Sequence, residues 1–119
     1  MTERTHEALA LIDHQIAQVK MHGDLFYMPD LLRIKGDIQL SDSADQGHAE
    51  ATLLESLKWA KEQQALSWEL RSATSLAQLY SRTKPDLAKA ILRPIFDRFT
   101  EGLQTSDLVR ARGLLEMVN

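Results

Sequence analysis

The sequence predicts an all-α domain built from stacked antiparallel helix pairs. Three observations carry that expectation: apolar residues recur at helical spacing along almost the whole chain, glycine and proline are scarce, and the links between periodic segments are short. With 119 residues, 44% of them apolar and 26% charged, residues 1–119 read as a single domain able to bury a core. Leu, Ala, Glu, Gln and Lys favour helix over sheet.

The first stripe is Leu9, Ile12, Ile16 and Val19, with Thr5 as a capping hydroxyl and Gly23 as a stop. Pro29 suits the first turn of a second helix, where its missing N–H costs nothing, and Leu31, Ile34 and Ile38 continue that helix to about Leu40. The polar segment 41–47 reads as the clearest loop. A third helix is expected over 48–64, with Ala49, Leu53, Leu57 and Ala60 facing inward. Ser67 is a candidate N-cap for a fourth, whose face carries Leu70, Ala73, Ala77 and Tyr80. A fifth runs from Pro85 to about Phe99 with Pro94 inside it, and a sixth starts at Thr105 or Ser106 and uses Leu108, Ala111, Leu115 and Val118.

Two stretches share one grammar. Gly36 stands inside a helix, where glycine costs about 1 kcal/mol against alanine unless another backbone or side chain needs the room. Ala49, Leu53 and Leu57 follow on the partner helix. Ala77 takes the corresponding place in the second stretch, followed by Ala88, Leu92 and Ile95. A small residue in one helix, then small and large residues in the next, is the tetratricopeptide layout. The expected architecture is a right-handed, tetratricopeptide-like solenoid of about two repeats with flanking capping helices. Two repeats are few, so the terminal faces are either capped by the first and last helices or shared between two copies.

Three strings sharpen this: Phe26-Tyr27-Met28-Pro29-Asp30-Leu31-Leu32-Arg33-Ile34-Lys35-Gly36-Asp37, the stretch from Ala65 to Ala77, and Phe99-Thr100-Glu101-Gly102 followed by Thr105-Ser106-Asp107-Leu108. They resemble the C-terminal tetratricopeptide-like tail of large bacterial signalling proteins, in which a nucleotide-cyclase or transcriptional-activator domain joins a predicted ATPase and then a helical repeat. The resemblance covers roughly residues 5–118. It implies a sensory or interaction tail, without the cyclase or ATPase activities. The sequence departs from the repeat pattern at Ser56, where alanine is preferred, and at Lys61, where a proline often ends the pair.

Charge and motif content narrow the function classes. The net charge of −3 argues against a nucleic-acid partner, although from Arg82 onward 7 basic side chains outnumber 5 acidic ones. There is no cysteine, hence no disulfide framework or thiolate metal site. No apolar run reaches the roughly 20 residues that span a bilayer, and no secretory pattern opens the sequence, so the expectation is a cytoplasmic protein without a membrane partner. His6, His14 and His22 fan around a helix at about 80° per step, and His48 falls in the predicted loop. No metal site and no cofactor are expected. Neither a phosphate-binding Gly-rich loop ending in Lys-Ser/Thr nor a Gly-x-Ser-x-Gly elbow occurs, and no enzyme is expected.

Arg33 lies three residues after Asp30 and four before Asp37, a spacing that predicts ion pairs on the helix surface. In a tetratricopeptide arrangement the first helix of each pair lines the concave face. That places Arg33, Asp37, Arg71, Thr74, Gln78 and Arg82 on a groove whose arginines can grip a carboxylate or acidic peptide segment. Trp59, a little off its helix's apolar stripe, is a candidate interface aromatic. The functional expectation is a non-catalytic module that binds a protein or peptide within a signalling or transcription-control system. The alternative is a homo-oligomerisation module, a possible homodimer that pairs through its terminal helices.

Overall fold

The computed structural model describes residues 2–42 and 45–119. Among them are six α-helices and no strand: α1 (Glu3–His22), α2 (Met28–Leu40), α3 (Gln46–Glu62), α4 (Leu66–Tyr80), α5 (Pro85–Phe96) and α6 (Ser106–Val118), with one 3₁₀ turn at Leu25–Tyr27. No helix is long and apolar enough to cross a membrane.

Local chemistry sets the ends. Thr2 caps α1, its hydroxyl accepting from the Thr5 N–H at 3.1 Å, while Thr5 turns its own hydroxyl onto that of Thr2. Gly23 closes α1 in the left-handed region at φ 73°, as its position predicts. Pro29 stands in the first turn of α2. The expected Ser67 cap is not used. The chain leaves α3 through Gln64 at φ 57°, the Ala65 N–H bonds the Ala60 carbonyl, and α4 is already helical at Leu66. The predicted end of α5 at Phe99 is also early, at Phe96. Beyond it the Arg98 and Phe99 N–H groups bond carbonyls only three residues back, those of Ile95 and Phe96.

Consecutive helices pack as neighbours throughout, and alternate ones touch as well: α2 against α4, and α4 against α6. Cross-links fix their directions. Tyr80 at the end of α4 reaches Glu50 near the start of α3, so those two run antiparallel. Arg71 near the start of α4 reaches Asp30 and Asp107 near the starts of α2 and α6, so those three run parallel. The molecule measures 37 × 31 × 21 Å. A thickness of 21 Å is two helix diameters, so α2, α4 and α6 form one row, with α3 and α5 in the layer behind. This packing is consistent with a helical repeat.

Gly36 is where the layers come closest. A Cβ placed there would lie 2.5 Å from Leu53 Cδ2 and 2.6 Å from its Cγ, so the glycine predicted to make room does so. Leu53 belongs to the main core, built by α3 to α6 from Leu57, Leu70, Leu76, Leu92, Ile95, Leu108 and Leu115 among others. Ile12, Ile16, Met28 and Leu32 form a second, smaller cluster that fastens α1 to α2. Ser56, which breaks the repeat's preference for alanine, is fully buried and satisfied. Its hydroxyl donates to the Pro29 carbonyl at 2.6 Å and lies 2.7 Å from the Ser72 hydroxyl, joining α2, α3 and α4 through one polar contact.

Candidate functional site

The row α2–α4–α6 holds most of the residues singled out from the sequence. Arg33 forms both ion pairs its spacing predicts, to Asp30 at 3.1 Å and Asp37 at 2.9 Å. Arg71 then bridges helices, with Nε on Asp107 of α6 at 2.8 Å and Nη1 at 3.6 Å from Asp30 of α2. The result is a chain of alternating charge, Asp37–Arg33–Asp30–Arg71–Asp107, that crosses three parallel helices. The hydrogen bond to Asp107 is the main cause of a raised Arg71 pKa. The negative charges of Asp107 and Asp30 add to it, and partial burial works against it. Further along the row Gln78 Oε1 accepts from Arg110 of α6 at 2.6 Å.

Two of the six predicted groove residues lie elsewhere. Thr74 is not on the surface: it is 2% exposed, and its hydroxyl donates to the Leu70 carbonyl one turn back at 2.7 Å. Arg82 lies past the end of α4 and lines a cleft of about 610 Å³ with Glu50, Gln78, Tyr80, Lys84 and Met117. Arg33 and Asp37 border a second hollow, between α1 and α2. Trp59 is half-buried against the α1–α2 cluster rather than presented for contact.

No protein-family model, curated protein or solved structure matches this chain.

What this surface can do therefore follows from its own chemistry. Each arginine of the row is engaged by the chain's own carboxylates. A ligand carboxylate has to exchange with Asp107 or Asp30 at Arg71, and a ligand cation has to exchange with Arg71 at those carboxylates. Exposed ion pairs contribute only about 0–1 kcal/mol each, so exchange with an incoming charged chain is energetically accessible.

Sequence reasoning passed over two features. Phe26 and Tyr27, 60% and 53% exposed, stand in contact with Trp68, with ring centroids 4.9 Å and 6.1 Å from it. The adjacent aromatic pair before Pro29 was the available signal. Glu69 is the other: it is 3% exposed, and its carboxylate meets Arg98 from beyond α5 at 3.2 Å. His48, placed in a loop by its neighbours, is in the first turn of α3 with Nδ1 on the Asp45 carboxylate. Among the described residues no three His, Cys, Asp or Glu side chains converge in the manner of a metal site.

In the cleft, the Tyr80 hydroxyl donates to Glu50 Oε2 at 2.5 Å. Burial, then the hydrogen bond and charge of Glu50, push its pKa up to about 12. A folded pKa above the unfolded value near 10 means that this stabilisation is complete below pH 10 and is lost as pH rises toward 12. Over that window the wild type should lose roughly 2–3 kcal/mol more than Tyr80→Phe. Urea titrations of both proteins between pH 9 and 12 measure the difference, and parallel losses would mean that the Tyr80 proton is not coupled to folding.

Proposed function

We propose that this chain is a non-catalytic, tetratricopeptide-like module, a right-handed solenoid of about two repeats, that binds a protein or peptide segment across the α2–α4–α6 row. The observation that carries the reading is the packing order. Because alternate helices touch, three parallel helices lie side by side as one continuous surface, crossed by side chains that already alternate in charge. An extended segment bearing its own alternating or acidic charge finds a guanidinium with bidentate geometry at Arg71 and carboxylates on either side of it. A cytoplasmic role in a bacterial signalling or transcription-control system rests on the three strings quoted above.

The test uses the tagged chain to capture a partner, which is then produced separately and titrated calorimetrically. Arg71→Glu should weaken its binding by at least tenfold. The exchanged pair Arg71→Asp with Asp107→Arg keeps the internal ion pair while moving both charges, so weak binding by that variant reports recognition rather than unfolding. A partner bound equally well by wild type and both variants would remove the reading.

A further inference from the structure

Inside the molecule, each packing step follows one rule: α2 lies against both α3 and α4, and α4 lies against both α5 and α6. No described helix stands in that relation to α1 and α2. The place it would occupy is a hollow of about 730 Å³ bordered by Arg4, Glu7, Leu11, Ile34 and Asp37, with Leu11 68% exposed at its edge.

At the opposite end, α6 has α4 and α5 as neighbours but no helix on its outward face. That face carries Val109, Gly113 and Met117 at four-residue intervals, one line along the helix, with Val109 and Met117 42% and 64% exposed. Nothing lies within 4 Å of a Cβ built on Gly113. An exposed helix-interior glycine costs about 1 kcal/mol against alanine and has no use within this chain. Gly36 of α2 shows what such a glycine does when covered, since it admits a leucine from the neighbouring helix.

The charges flanking the two faces also match. A helix filling the hollow in the sense of the internal packing runs parallel to α2 and antiparallel to α1. In that direction Arg112 of α6 falls opposite Glu7, and Glu116 falls opposite Arg4. None of the four is ion-paired to a described residue.

We propose that a second copy of this chain lays its α6 into the hollow between α1 and α2, Gly113 admitting Leu11, so that copies associate head to tail. The contact joins unlike faces, so each added copy leaves one of each open and growth stops only if a ring closes. It does not depend on the partner-binding row.

Sedimentation velocity of the full chain from micromolar to submillimolar concentration tests this. The wild type should gain mass with concentration, while Leu11→Glu alone and Gly113→Glu alone should each weaken association at least tenfold and remain monomeric. Mixed, these two variants retain one intact face of each kind and should form a 1:1 dimer that grows no further. Arg4→Glu should abolish assembly, and adding Glu116→Arg in the same chain should restore it. A wild type that stays monomeric throughout would overturn the proposal. So would a single-face variant that still self-associates, or a charge exchange that restores nothing.

Discussion

Replacing Gly36 with valine is expected to destabilise the fold by about 3 kcal/mol, despite valine's better helix propensity. The added Cβ alone would sit 2.5 Å from Leu53 Cδ2. Leu53 is fully buried in the main core and cannot swing clear without displacing its neighbours. Forcing extra carbons into a packed interior costs about 1–3 kcal/mol, and the second branch of valine takes this site to the top of that range. Leu53→Ala alone should cost about 2–5 kcal/mol through the cavity it leaves. Together the two should cost less than their sum by about 1–3 kcal/mol, because the cavity accepts the valine. Urea denaturation of the four proteins of this cycle measures the coupling, and strict additivity would mean that the glycine is not there to admit Leu53.

The second large effect concerns Glu69 and is asymmetric. Its carboxylate is almost wholly buried, with both oxygens within 3.4 Å of Arg98 Nη1. Arg98→Ala leaves that buried charge without its partner. Removing one member of a fully buried pair costs about 3–5 kcal/mol. The Arg98 side chain is 56% exposed, so water reaches part of the vacated space and the expected loss is nearer 2 kcal/mol. Glu69→Met removes the charge that needs compensation and replaces it with apolar volume, so it should change stability by less than about 1 kcal/mol. Thermal unfolding of the two variants decides the matter. Equal losses would show that the ion pair stabilises the fold by net attraction rather than by satisfying a buried carboxylate.

The helices were legible in the sequence because each has an apolar stripe and punctuation of known chemistry: Gly23 after α1, Pro29 and Pro85 at helix starts, Thr105 before α6. Gly36 was legible for a different reason, since a glycine that weakens its own helix needs an external use. The environment of α4 was much less so. It touches α2, α3, α5 and α6, so its sides are covered almost all round, and a polar residue such as Thr74 or Glu69 is buried although its type suggests water. A single helix's periodicity records one apolar face and cannot count neighbours. The charge ladder was half visible. Arg33 with Asp30 and Asp37 follows from spacing within one helix, whereas Arg71 with Asp107 spans 36 residues and exists only once α4 and α6 lie side by side. Trp59 was misjudged because the side of α3 that leaves the main core is covered by the α1–α2 cluster.

That separation of the apolar interior into two clusters gives the molecule an optical property. Trp59 lies against the small cluster that holds α1 to α2, while Trp68 stands among Phe26 and Tyr27. An indole's emission shifts to the red when water reaches it. With Trp68→Phe, the remaining fluorescence reports whether α1 is docked. With Trp59→Phe, it reports what touches the aromatic cluster. The chain thus carries two internal probes, one for detachment of its first helix and one for contacts at the Phe26–Tyr27 end.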